Sequence, residues 1–416
     1  MNIAETKRYG TARSLLRRES NEGFSLIELM IAIAIGFLVV LAVIAVYLNV
    51  SRTNMEMAKT NSQIENGRSA IQLLENEVIH AGFWGGYSPQ FENLSLAVAP
   101  TDVPTAVPGP CLAYASWDVA YVNNLLAISV QGYDDLPAGC GTVVVDKLPN
   151  TDVLVVRHVE TCLPGVGTCE ADATGKLYFQ SSFCEKELNP TAPTTPARFV
   201  LAPTPTGTDT TVFTLKKKGC TGTLPNTVNK VGETVAEKRK FISTIFYVRS
   251  WARVAGDGIP TLMRSRFDLS GGTLAHQAAE PLIEGIEGFR VEFGIDNISD
   301  DGTNVITNTD PTKLYSAAIK WNDLALTSPG NRGDGSPDSF VRCTSALPCT
   351  ADQLANVVAL KVYLLARAES ESVGHLDNKT YTLGPTTLGP FNDRFKRHVF
   401  SSTFRLTNPS SRRETP

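Results

Sequence analysis

Residues 23–50, GFSLIELMIAIAIGFLVVLAVIAVYLNV, decide how the rest of the chain is read. From Phe24 to Val50 there are 27 residues, and Glu28 is the only charge among them. At 1.5 Å per residue a helix of that length spans about 40 Å, enough to cross the roughly 30 Å hydrocarbon core of a bilayer. The run is therefore a candidate membrane anchor. It is a poor secretory signal, because the apolar core of a signal peptide has only about 7–15 residues and ends at a small-residue cleavage site. Here the run ends in Asn49-Val50-Ser51-Arg52, and Ala32-Ile33-Ala34 lies inside it with apolar residues on both sides.

Two further details qualify the anchor. The polar-to-apolar boundary falls sharply between Gly23 and Phe24, and a carboxylate, Glu28, stands five residues into the apolar part. This combination resembles the prepilin signal of type IV pilins and type II secretion pseudopilins. The resemblance implies that a prepilin peptidase cuts after Gly23 and methylates the new N-terminus, Phe24. It also implies that Glu28 attracts the terminal amine of a neighbouring subunit during fibre assembly. The physics is consistent, since a carboxylate at mid-membrane costs about 2.5–3.5 kcal/mol and needs a compensating partner. The plain alternative is an interfacial glutamate whose head reaches cytoplasmic water.

Composition sets the compartment. Residues 1–23 carry Lys7, Arg8, Arg13, Arg17 and Arg18 against Glu5, Glu19 and Glu22. A basic flank beside an anchor favours the cytoplasmic side, so the C-terminal bulk is expected to be exported. The formal charge of the chain is −4, and the part beyond the basic leader is more acidic still, which is poor ground for a nucleic-acid function. The eight cysteines, Cys111, Cys140, Cys162, Cys169, Cys184, Cys220, Cys343 and Cys349, all lie on the exported side, where an even count reads as disulfides. Spacing does not decide their connectivity. Sequential pairing, 111/140, 162/169, 184/220 and 343/349, is the expectation because it closes short loops.

Beyond the anchor no proline interrupts Ser51 to Ile79, and Met57, Ile64, Ile71, Leu74 and Val78 recur at helical spacing. The helix is thus predicted to continue outward and to lie on the head with that stripe, Gly67 interrupting the pattern. Its end, NSQIENGRSAIQLLENEVIHAGFWGG, resembles the segment of PilW-type minor pilins and J-type pseudopilins in which the helix closes in an Ala-Gly-aromatic-x-Gly turn, here Ala81 to Gly86. Glycines end such a helix by adopting positive φ.

The proline-rich stretch 97–110 reads as a loop, and 188–211, rich in Thr and Pro, as extended and exposed. Short β-like runs are Gly141 to Asp146, Asp152 to Val159, Gly175 to Gln180 and Thr211 to Leu215. Stronger strands are Phe241 to Ser250 and Leu262 to Leu269, a hairpin around Gly256-Asp257-Gly258-Ile259-Pro260, followed by Phe289 to Ile295, Val357 to Ala366 and His398 to Leu406. In Phe289 to Ile295 apolar residues alternate with polar residues or glycine, which predicts one buried face. These five strands are expected to form one antiparallel sheet under the helix. Their order, with PLIEGIEGFRVEFGID, VALKVYLLARAE and RHVFSSTFRL, also resembles the PilW family, while 87–240 is left largely unmatched.

Catalytic patterns are lacking: there is no Gly-x-Ser-x-Gly, His-Glu-x-x-His or phosphate loop. His158 upstream of Cys162 makes a weak zinc pair. Asn297, Ser299 and Asp301 partly fit a calcium loop, but its closing acid would fall on Asn308, and Asp334 and Asp338 form a second weak set; ordinary Asp/Gly turns are the plainer reading. Lys216-Lys217-Lys218 and Lys238-Arg239-Lys240 read as solvated faces, and DNA is an unlikely partner.

The fold expected is α+β and pilin-like: a long N-terminal helix, membrane-spanning in its first half, packed on an antiparallel β-sheet with a disulfide-rich insertion. The expected divisions are a leader at 1–23, a transmembrane helix at 24–50, its continuation and closing turn at 51–86, the elaboration at 87–240 and the sheet-bearing part at 241–416. The resemblance implies a non-enzymatic minor pilin, without cofactors, that helps initiate or cap a type IV pilus in a tip complex. Its implied partners are other minor and major pilins, the prepilin peptidase and the inner-membrane assembly machinery. Its implied location is the inner membrane with a periplasmic head, then the fibre. The alternatives are a J-like pseudopilin of type II secretion, which needs a smaller head, or a membrane-tethered adhesin that uses a pilin-like anchor.

Overall fold

The computed structural model describes residues 23–188, 198–205, 212–218, 220, 235–321 and 329–414. The leader before Gly23, most of the Thr/Pro-rich stretch 188–211 and Thr211 lie outside the described residues. The chain forms two units, Met1–Ala58 and Lys59–Pro416. The first contains the start of helix α1 (Leu26–Val78), 53 residues without a proline. Its apolar side chains are exposed throughout, and an 18-residue window reaches a mean hydropathy of 3.2, so it is long and apolar enough to cross a membrane.

In the second unit α1 packs through Gln63, Gly67, Ala70, Leu74 and Val78, which its spacings of four and three place on one face. The expected stripe is thus partly corrected. Leu74 and Val78 are fully buried, Ile64 and Ile71 flank the contact half-buried, and Met57 is exposed. Close approach is the reason. A Cβ on Gly67 would stand 2.2 Å from the Phe400 ring, so Gly67 makes the contact instead of interrupting it. Likewise, the Gln63 amide reaches the backbone, donating to the Ala366 carbonyl at 2.7 Å. After Val78 the chain turns through Gly82, Gly85 and Gly86, whose φ values are 71°, 62° and 95°.

Among the described residues all strand pairs are antiparallel, but they form two main sheets. The larger has eight strands: β1 (Val130–Tyr133), β2 (Val153–Val159), β3 (Leu177–Ser181), β4 (Phe199–Pro203), β5 (Lys238–Arg249), β6 (Thr261–Ser270), β7 (Thr273–His276) and β8 (Glu280–Glu284). Its order is β1-β2-β5-β3-β4, with β6 pairing β5, β7 and β8. The smaller is built from β9 (Ile286–Ile295), β10 (Ser339–Val341), β11 (Val357–Arg367) and β14 (Arg397–Arg405) in the order β10-β9-β11-β14; β12 (Tyr381–Leu383) and β13 (Thr386–Leu388) make a separate hairpin. Short helices α2 (Val119–Ala127), α3 (Glu185–Leu188), α4 (Ala351–Ala355) and α5 (Thr407–Arg413) fill the connections.

The single five-stranded sheet is therefore corrected. β5 and β6 join the larger sheet because β2 and β3, from the cysteine-rich region, bond to β5 at Phe241–Phe246 and Lys238–Lys240. A division at 240/241 falls inside β5. Leu74 and Val78 of α1 share one core with Leu154, Val156 and Phe246 of the larger sheet and with Val291, Leu360 and Val362 of the smaller. Asp152, just before β2, fastens the two. Its carboxylate meets Arg290 at 3.0 Å and Arg342 at 2.6 Å and accepts the Val291 amide at 2.9 Å. β9 is consequently buried on both faces, since Gly288 also lies under Leu383 of the hairpin.

Two expected strands are turns or irregular chain. In Gly141 to Asp146 the amides of Val143 and Val144 both donate to the Cys140 carbonyl, which winds a turn beside the Cys111–Cys140 disulfide. Residues 212–215 run irregularly to an isolated Lys216–Val235 bridge. The β5–β6 hairpin forms, and Asp257 organises its loop by accepting the amides of Ile259, Arg253, Ala252 and Val254, which hold its carboxyl well below the usual range. Four disulfides join Cys111 to Cys140, Cys162 to Cys169, Cys184 to Cys220 and Cys343 to Cys349.

Candidate assembly site

The N-terminal signal residues meet at the first turn of α1. Ser25 stands just before the helix. Its hydroxyl accepts the Ile27 amide at 3.3 Å, and the Glu28 carboxylate accepts the Ser25 amide at 3.0 Å through Oε2. Both bonds cap the start of the helix, the two side chains accepting amides that the helix itself leaves open. Phe24 is 88% exposed. Among the described residues Oε1 of Glu28 accepts no hydrogen bond, so one carboxylate oxygen is engaged locally and the other is open. Ser25 is the residue that sequence reasoning missed, although Ser-x-x-Glu ahead of an apolar run is a known N-terminal signature.

The weaker candidates resolve into local structure. Asp301 accepts the Ser299 hydroxyl and, at 3.0 Å, the Thr303 amide, while Asp338 accepts the Asn297 and Ile298 amides. Asp334 accepts the Ser336 amide at 2.7 Å, and Asn308 closes a turn on Asp310. Among the described residues no three acidic, histidine or cysteine side chains stand at metal-binding spacing. Cys162 is bonded to Cys169, so its sulfur offers His158 no thiolate partner.

His158 instead faces α1 across a cavity of about 590 Å³ lined also by Glu77, His80, Glu170 and Asp268. Its Nε2 lies 3.5 Å from Glu77, and Arg264 lies 3.9 Å from the same carboxylate. Burial opposes ionisation of Glu77, but the hydrogen bond to His158 and the nearby Arg264 outweigh it and hold its carboxyl below its ordinary value. The basic clusters are ion-paired. Lys217 meets Glu237 at 3.1 Å, Lys238 meets Asp172 at 2.7 Å, and Lys240 meets Glu170 and Asp268 at 2.7 and 2.9 Å. The aromatics of the closing turn pack on the larger sheet, where Trp84 is buried against Phe179 and Phe241 and donates to the Leu126 carbonyl at 3.0 Å.

An apolar N-terminal helix capped by Ser25 and Glu28, long enough to cross a membrane, and an antiparallel α+β head together make an arrangement similar to that of the pilins. Residues 245–408 match the PilW family, Type IV Pilus-assembly protein W, and residues 19–44 match the prokaryotic N-terminal methylation motif. Over those residues the chain is similar to PilW-type minor pilins and carries a prepilin-type N-terminal motif. Among solved structures it is similar to a type IV-like pilin from Thermus thermophilus, at 16% identity and a TM-score of 0.18, over 40% of this chain and 68% of that one. Among curated proteins none matches the chain.

Proposed function

We propose that the protein is a minor pilin of a tip complex that initiates or caps a type IV pilus, anchored in the inner membrane with a periplasmic head. On this reading the peptidase cleaves after Gly23, Phe24 becomes the methylated N-terminus, and the open oxygen of Glu28 receives the terminal amine of a neighbouring pilin. The observation that carries the placement is the second sheet. Eight strands beyond the four-stranded one make a head whose radius of gyration scales to about 20 Å, a bulk that would crowd its neighbours if repeated along a shaft. At a tip one side is free of neighbours.

Immunogold labelling should mark fibre ends at low stoichiometry, and mass spectrometry of the mature chain should begin at Phe24. Continuous shaft labelling would refute the tip placement, and an intact Met1 terminus in the presence of a prepilin peptidase would refute the processing. The bond from the Ser25 amide sharpens the test of Glu28, because the side-chain oxygen of a glutamine at that position can still accept it. Glu28→Gln should leave processing and insertion intact yet weaken incorporation into pili. Glu28→Ala should do the same and also fray the first turn. Normal incorporation of Glu28→Gln would assign the residue to capping alone.

A further inference from the structure

Three walls enclose the cavity of about 590 Å³: the end of α1 with His80, the sheet face that carries Glu160, Lys240 and Asp268, and the loop closed by Cys162–Cys169. The registers of β2, β5 and β6 set those three charged residues on one face, because Val159 pairs with Phe241 and Thr244 with Arg266. The volume lies in the range of small-molecule sites, about 300–1,000 Å³. The disulfide fixes the third wall, which lowers the cost of binding.

The charges of the lining do not balance. The Lys240 ammonium lies 2.7 Å from Glu170 and 2.9 Å from Asp268, and the Lys176 ammonium bonds Glu170 and lies 3.3 Å from Asp268. Glu77 is met by His158 and Arg264. Glu160 is left over. It is half-buried, its Oε2 is shielded from solvent without a hydrogen-bond partner, and burial pushes its carboxyl above the ordinary value. Three cations stand near it in the chain or the lining. Lys240 is its neighbour across the ladder, where the Glu160 amide donates to the Lys240 carbonyl at 2.9 Å, but that ammonium is shared between two other carboxylates. Arg239 turns to the carbonyls of Glu160 and Thr161 and lies 3.8 Å from Glu237. Arg266 is exposed, and the registers place it two strands across and four residues along from Glu160. That is about 16 Å between Cα atoms, farther than the two side chains reach together.

We infer that this cavity binds a primary ammonium group, which pairs with Glu160 and gives the three carboxylates Glu160, Glu170 and Asp268 three ammonium partners. An ammonium brings three N–H donors, and the lining has further acceptors for them. The Asn76 carbonyl can only accept, so the 2.7 Å bond to it puts the His80 proton on Nδ1 and leaves Nε2 a lone pair. The hydroxyls of Thr161 and Thr168 line the same space. A metal ion fits less well, since among the described residues no three ligand side chains stand at metal-binding spacing. An anion would add a negative charge to the unpaired one. A free alkylamine and a lysine side chain share the chemistry that fits.

The test titrates the full-length protein in detergent micelles with butylammonium in about 150 mM sodium chloride, read by saturation-transfer NMR. Binding should saturate with a dissociation constant of about 1 mM. Glu160→Gln should weaken it about tenfold or more, because a neutral hydrogen bond replaces a charge-assisted one. Butyrate, opposite in charge, and tetramethylammonium, which has no N–H, should not compete. Where Glu160→Gln does not fold, the native protein decides: binding should persist from about pH 8 to 6 and be lost toward pH 4 as the carboxylate takes up a proton. Titration with Nα-acetyl-lysine amide separates the two sources. Binding equal to that of butylammonium admits a lysine of another chain, exclusion assigns the site to a free amine, and either result keeps the ammonium site. No saturation below about 10 mM, equal binding by Glu160→Gln, displacement by tetramethylammonium or an affinity unmoved by pH would overturn the proposal.

Discussion

At the scale of single residues, contact and charge decide what local preference does not. Replacing a helical glycine by alanine ordinarily stabilises by about 0.8–1 kcal/mol. At Gly67 the added methyl would meet Phe400 carbons at 2.2, 2.5 and 2.7 Å, and overpacking costs about 1–3 kcal/mol. Gly67→Ala should therefore lower the denaturation midpoint, and Gly67→Ala with Phe400→Leu should recover it. His276 carries one part of the pH dependence. Burial, with the nearby charge of Arg157, pushes its pKa down to about 3, and its ring nitrogens lie 3.1 and 3.3 Å from the Ser243 and Ser265 hydroxyls. The unfolded chain takes up this proton near pH 6.5 while the folded chain refuses it. The stability His276 contributes is thus complete above that pH and falls as pH drops toward 3, at up to about 1.4 kcal/mol per pH unit. Denaturation followed from pH 7 to 4 should show this slope in the native chain and a shallower one in His276→Gln. Glu28 was legible because an isolated charge in an apolar run has few explanations. The roles of Gly67 and His276 were not, since each depends on a partner 333 or 33 residues away in the chain.

At the scale of elements, the sequence marked strands better than their partners. The runs at Phe241, Leu262, Phe289, Val357 and His398 all become strands, because β-branched and aromatic residues with an apolar face suit a pleated, buried surface. Val143 and Val144 show where that reasoning fails. They are buried like strand residues, yet the adjacent Cys140 winds them into a turn. β8 and α2 went unseen, although Asp118 caps α2 by accepting the Tyr121 amide at 2.7 Å, a usable signal. The disulfides differ in what they hold. Cys111–Cys140 spans a sequence separation of 29 and Cys343–Cys349 one of 6. By the loop-entropy argument, removing the first pair should cost about 3–4 kcal/mol and the second about 2 kcal/mol. Alanine double variants compared by chemical denaturation should rank in that order.

At the scale of the whole molecule, the candidate anchor and its resemblance to a prepilin signal were legible from fewer than thirty residues, because lipid imposes a length and a composition that few other segments satisfy. The division of the strands between two sheets was not. It depends on which strands bond to β5 and on the hold of Asp152 on Arg290 and Arg342, and such pairings between distant segments leave no periodic trace. The order of the disulfides has a further consequence for the proposed export of the head. Each cysteine pairs with the next one along the chain, so no bridge encloses or crosses another. A polypeptide delivered through the membrane from its N-terminal side presents its thiols in the order in which they are to be joined. An oxidase that links each newly arrived thiol to the unpaired one before it reaches the native set directly, with no rearrangement by an isomerase.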